Sequence, residues 1–234
     1  MTLVSRLVTF AVSLAVVVAT FLGKHPHSAP ARGYNILTID MRLNHVAVVS
    51  DSYTTGTEEG GLGPRSWPAR AWQMLGAEGE RIAPDVAAEK RAGYVTPGDH
   101  HSIFYDLTDR AVKDDDALVV FFGSRNDESA DPQLLAGKVR DTFGLARTRA
   151  PAARLLVIGP AWPTADVPAT ILRIRDVLFG AALGAGAAWV DPIAERWFVG
   201  RPELIGADGV HPTDAGHQYL ADMIAPLIRA QLST

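Results

Sequence analysis

Ala117-Leu118-Val119-Val120-Phe121-Phe122, running directly into Gly123-Ser124-Arg125-Asn126-Asp127, decides the fold. Six apolar residues in succession are too few for a helix, and they do not alternate with polar ones. A strand of this kind is covered on both faces, as in a parallel sheet with helices packed above and below it. Arg154–Gly159 (RLLVIG) repeats the pattern. His45–Ser50 (HVAVVS), Ala187–Asp191 (AAWVD) and the weaker Glu80–Ala83 bring the expectation to about five strands. Helical spacing fills the intervals. Trp67, Ala71, Met74 and Leu75 make one face; Leu134, Leu135, Val139, Phe143 and Leu145 make a second; Ile171, Ile174, Val177, Leu178 and Leu183 make a third. Tyr219–Leu232 reads as a last helix with Pro226 as a point of kinking. Strands alternating with helices predict a single α/β domain, a three-layer α/β/α sandwich around a mostly parallel, flavodoxin-like sheet.

That domain is expected over residues 34–234. Ahead of it, Leu7–Gly23 (LVTFAVSLAVVVATFLG) carries no charge and follows Arg6, the order of a secretory leader or of an N-terminal membrane anchor. Ala29-Pro30-Ala31 offers small residues for cleavage, and Lys24–Gly33 reads as a tether. Residues 1–33 are therefore expected to export the body or to associate it with a membrane. Arg6, Lys24 and Arg32 are the only charged residues up to position 32, so these three positive charges, set against −4 for the whole chain, leave −7 on the body. Such a surface does not neutralise phosphates, and nucleic acid is not an expected partner. With no cysteine in the 234 residues, disulfides, thiolate metal sites and a cysteine nucleophile are excluded.

In doubly wound sheets, functional groups gather beyond the carboxyl ends of the strands. There the chain has Ser50-Asp51-Ser52-Tyr53-Thr54-Thr55-Gly56, then Gly123-Ser124-Arg125-Asn126-Asp127, and before the last helix Asp208-Gly209-Val210-His211-Pro212. Taken singly these are ordinary: Ser52 suits a helix cap, Asn126 and Asp208-Gly209 suit turns, and His211-Pro212 suits a helix start. Together they supply a hydroxyl, an amide, an imidazole and a carboxylate, the set that acyl transfer needs. A serine hydroxyl needs a base, the base needs a carboxylate to fix its tautomer, and the oxyanion needs N–H donors.

These blocks make the chain resemble the SGNH (GDSL-type) hydrolases from about Val46 to Leu227. The resemblance implies Ser52 as nucleophile, Asp208 and His211 as its acid and base, and Ser52 N–H, Gly93 N–H and Asn126 as oxyanion donors. Gly93 enters through Arg91-Ala92-Gly93-Tyr94, matched to the family's second block. Two departures stand out: Ser50 replaces the usual first glycine, and one extra residue separates Gly123 from Asn126. No Gly-x-Ser-x-Gly elbow of the α/β-hydrolase fold is present.

The expected activity is hydrolysis of carboxylic esters, with short acyl groups favoured because little chain is spare for a lid, and with no cofactor. An O-acyltransferase on the same acyl-serine and a non-catalytic binding protein are the rival readings. Around the site, Arg125 is expected to point to solvent, the other reading being a cation that favours an anionic substrate; His217 is expected on the surface, and Trp162, Trp189 and Trp197 in the core, with an acyl or sugar site as their other reading. Asp114-Asp115-Asp116 reads as a solvated turn. His25 and His27 read as part of a solvated tether, and Asp99-His100-His101 with Asp106 has no second partner motif, so no metal is expected.

Overall fold

The computed structural model describes residues 43–233. The expectations for residues 1–33 lie outside that range. The described chain runs β1 (Asn44–Ser50), α1 (Ser52–Thr55), α2 (Trp67–Ala77), β2 (Ile82–Ala88), α3 (Phe104–Ala111), β3 (Asp116–Phe122), α4 (Pro132–Arg149), β4 (Arg154–Ile158), α5 (Ala169–Gly184), β5 (Ala188–Val190) and α6 (Asp214–Leu232). The five strands form one parallel sheet in the order β2-β1-β3-β4-β5.

Successive strand residues face opposite sides, and both sides are dry. Val119 and Phe121 join Ala47, Val49, Leu155 and Val157 under α3, α4 and α5. Leu118, Val120 and Phe122 join Val46, Val48, Leu156 and Ile158 under α2 and α6. This is the three-layer sandwich that the unbroken apolar runs imply. The chain leaves β1 toward β2 on one side and crosses back to β3 on the other, so the order reverses between β1 and β3. A crevice opens at that switch point, beyond the carboxyl ends of the two strands.

Several local expectations need correction. The weak strand is β2, displaced toward the C-terminus of Glu80–Ala83 and seven residues long. It is an edge strand carrying Pro84 and Asp85 with only partial cover, so its composition hides it. Asp116 is buried as the first residue of β3, where its carboxylate accepts the Lys113 N–H at 2.8 Å, and is not part of a solvated turn. Leu134 and Leu183 face solvent although they share helical spacing with buried neighbours. Phe104–Ala111, which no long periodic run signals, is helical. The last helix starts at Asp214, capped by the Thr213 hydroxyl that accepts the Gly216 N–H, and it continues through Pro226. Among the described residues, no helix is long and apolar enough to cross a membrane.

Candidate active site

The chain turns sharply after β1, and side chains hold the turn. Ser50 Oγ donates to the Phe122 carbonyl at 2.9 Å, Thr54 Oγ1 donates to Ser50 Oγ at 2.7 Å, and Trp67 Nε1 donates to Thr54 Oγ1 at 2.8 Å. Serine at position 50 thus ties the end of β1 to the end of β3. Asp51 caps α1 by accepting the Tyr53 N–H at 2.9 Å. Its carboxyl is buried, and burial pushes its pKa up to about 6. Gly123 sits so close that a Cβ there would lie 2.8 Å from Asp51 Oδ2.

Ser52 opens α1, where its own N–H has no partner within the helix. Its Oγ lies 3.0 Å from His211 Nε2, and His211 Nδ1 lies 2.6 Å from Asp208 Oδ2. In the matching tautomer, Nδ1–H donates to Asp208 and Nε2 accepts the serine proton. Asp208 Oδ1 accepts the N–H groups of Val210 (2.8 Å) and His211 (2.9 Å). Partial burial alone would raise the Asp208 pKa; the His211 ring and these two N–H groups outweigh it and hold the carboxyl below the usual range. Tyr53 donates its hydroxyl to the Val210 carbonyl at 2.6 Å, which fastens the 208–211 loop to α1.

The second cluster, Gly123–Asp127, meets the first at the switch point. Asn126 Nδ2 donates to the Ala92 carbonyl at 2.8 Å and lies 3.4 Å from Asp51 Oδ2. Asp127 accepts the N–H groups of Tyr94, Val95 and Thr96 at 2.7, 3.0 and 2.8 Å, and so shapes the loop after β2. Gly93 departs from the expectation. Its N–H donates to the Thr96 carbonyl at 2.8 Å and is engaged within its own loop. What the position requires is the absence of a side chain, because a Cβ would lie 2.4 Å from Asp127 Oδ1.

Two more expectations are overturned. His217 is fully buried, on the face of α6 that also carries Leu220, Ala221 and Ile224. Its Nδ1 accepts the Trp67 N–H at 3.3 Å, a Cβ at Gly61 would lie 1.9 Å from its Nε2, and burial pushes its pKa down to about 4. Arg125 does not extend into solvent; its guanidinium stacks on the Trp162 ring, 4.3 Å from the centroid. Trp162 thus serves as a platform, half-buried, while Trp197 is a core residue and Trp189 is half-buried beside Phe179. Ser52, Arg91, Arg125, Asn126, Glu128, Val210 and His211 line a cavity of about 320 Å³. Among the described residues, no three acids or histidines converge as a metal would need, and Asp106 caps α3 by accepting the Ile103 N–H.

A serine, an imidazole and a carboxylate thus stand in hydrogen-bonded line at the carboxyl edge of a doubly wound sheet, the groups that acyl transfer uses. The sequence pattern of the GDSL-like Lipase/Acylhydrolase family matches residues 51–219 of this chain. A protein described as GDSL lipase Rv0518, from Mycobacterium tuberculosis, is 64% identical over 231 residues, covering 97% of this chain and 99% of its own. The chain belongs to the GDSL-like lipase/acylhydrolase family and is a carboxylic ester hydrolase. Solved structures share the fold. TesA superposes with a TM-score of 0.67 at 22% identity over 81% of this chain and 100% of its own. The esterase EstA from Pseudoalteromonas sp. does so with 0.62 at 12% identity, over 82% of this chain and 100% of its own.

Proposed function

We propose that this hydrolase works through an acyl-serine formed on Ser52. Ser52 Oγ attacks the ester carbonyl while its proton passes to His211 Nε2, and Asp208 stabilises the imidazolium through Nδ1–H. The oxyanion develops beside the Ser52 N–H and Asn126 Nδ2, whose hydrogen nearest Asp51 is held only weakly at 3.4 Å. His211 returns the proton to the leaving alcohol. Water then enters with His211 as base, the acyl–Oγ bond breaks, and the carboxylic acid departs. The observation that carries this reading is the line Ser52 Oγ–His211 Nε2 (3.0 Å) and His211 Nδ1–Asp208 Oδ2 (2.6 Å), opening on a cavity of about 320 Å³.

The cavity is at the low end of the range of ligand sites and accommodates a short acyl group, which the expectation of little spare chain for a lid also favours. The uncharged Leu7–Gly23 stretch behind Arg6 supports an extracytoplasmic enzyme, exported or tethered by its N-terminus. The test is turnover of p-nitrophenyl esters from acetyl to palmitoyl by the full-length protein, Ser52→Ala and His211→Ala. Both variants are expected to lose at least ~10³-fold in kcat, with the wild type fastest on acetyl to butyryl. Equal rates in all three proteins would overturn the assignment.

A further inference from the structure

The cavity beside Ser52 has a cationic wall. Arg125, one of the two residues between Gly123 and Asn126, brings its guanidinium there with the side chain only 19% exposed. The Trp162 ring fixes it from one side at 4.3 Å. Its Nη1 is buried and has no hydrogen-bond partner among the described residues, while Nη2 has Glu128 Oε1 at 3.6 Å, a long contact to a carboxylate 41% exposed. The buried Asp51 carboxyl also feels this charge. Arg91 lines the same cavity from the loop after β2; its ion pair with Asp99 is 3.5 Å long, and Asp99 is not part of the cavity wall.

The wall of the cavity therefore carries two guanidiniums against one acid, Glu128, apart from the residues that act on the ester. A guanidinium held on an aromatic face has already lost most of its rotational freedom, and it is weakly hydrated, so it is pre-organised to take a carboxylate or phosphate. Stacking alone would equally serve to join the loops after β3 and β4. It would not place a second cation on the same wall, and it leaves Nη1 without a hydrogen bond although the Tyr53 hydroxyl and the buried Asp51 carboxyl are near the guanidinium.

We propose that Arg125, assisted by Arg91, makes this site select esters that carry a negatively charged group, a carboxylate or a phosphate. The proposal rests on Ser52 as the nucleophile. The reaction is unchanged: ester and water give acid and alcohol, and the anionic group is bound without being transformed.

The test compares matched substrates with the full-length protein. The p-nitrophenyl monoester of glutaric acid, against its neutral methyl diester, reads a charge on the acyl side. 4-Acetoxybenzoate and 4-acetoxyphenyl phosphate, each against neutral 4-acetoxybenzamide, read a carboxylate and a phosphate on the alcohol side. The wild type is expected to give a charged-to-neutral ratio of kcat/KM well above one in at least one comparison, falling in 0.5 M NaCl. Arg125→Gln is expected to lower that ratio roughly tenfold, the scale of one charge-assisted contact, and Arg125→Lys to retain much of it. Arg91→Gln, at a side chain 79% exposed, is the variant least able to disturb folding and is expected to lower the ratio severalfold.

A wild-type ratio at or below one throughout would overturn the selectivity, as would Arg125→Gln slowing charged and neutral esters alike. Ser52→Ala separates the two levels. If it retains hydrolysis, the nucleophile assignment fails; if it abolishes hydrolysis while the arginine variants leave the ratio unchanged, only the selectivity fails.

Discussion

Asp51 and His217 pull the pH dependence of stability in opposite directions. The His217 pKa is pushed from 6.5 to about 4 by burial. Between those values the unfolded chain binds a proton that the native imidazole refuses, so stability rises with pH over that window. The Asp51 pKa is pushed from 3.8 to about 6. Between those values the native carboxyl keeps a proton that the unfolded chain releases, so stability falls as pH rises. At 1.36 kcal/mol per pH unit each group contributes about 3 kcal/mol, with opposite signs, and in the wild type the two nearly cancel between about pH 4 and 6. Replacing either group exposes the other. Asp51→Asn keeps an acceptor for the Tyr53 N–H, and its stability is expected to climb about 3 kcal/mol from pH 4 to 6.5 relative to wild type. His217→Asn keeps an acceptor near Nδ1 for the Trp67 N–H, and its stability is expected to fall by about as much from pH 4 to 6. For a domain of this size the swing amounts to about 6–12 °C in Tm. Urea unfolding at half-unit pH steps reads it directly, and the remaining carboxylates are common to all three proteins. Curves for both variants that run parallel to the wild type would refute the reasoning.

Two further outcomes follow from the site. Gly93→Ala would drive a methyl group against Asp127 Oδ1, at 2.4 Å, and disturb three N–H contacts at once; a loss of about 2 kcal/mol or more in denaturant unfolding is expected, with kcat falling as Asn126 shifts. Asp208→Asn preserves the shape of the 208–211 loop but cannot hold the Nδ1–H tautomer. It is expected to lower kcat by ~10²–10⁴ in steady-state ester hydrolysis while Tm moves by only a few degrees.

The sheet was legible where burial is complete. β3 and β4 are covered on both faces, so nearly every residue must be apolar, whereas the edge strand β2 accommodates Pro84 and Asp85 and loses that signature. That the clusters holding Ser52, Asn126, Asp208 and His211 would come together was legible because all three lie at the ends of strands or before the last helix, and the structure does bring them to one cavity. Side-chain direction was harder. The buried side of His217 depends on the phase of α6, which starts at Asp214, five residues before the first residue expected in that helix. The fate of Arg125 depends on Trp162, which reaches it from the loop after a different strand. The engagement of Gly93 N–H depends on Asp127 closing a loop more than thirty residues away in sequence, which no local pattern encodes.

The central claim, that Ser52 is the nucleophile activated by His211, is tested most directly by labelling the full-length protein with a fluorophosphonate and mapping the adduct by peptide mass spectrometry. The account predicts one stoichiometric adduct on the Ser52 peptide of the wild type, none in Ser52→Ala, and labelling slowed by orders of magnitude in His211→Ala. An adduct on another residue, or labelling of Ser52 at an unchanged rate in His211→Ala, would contradict it.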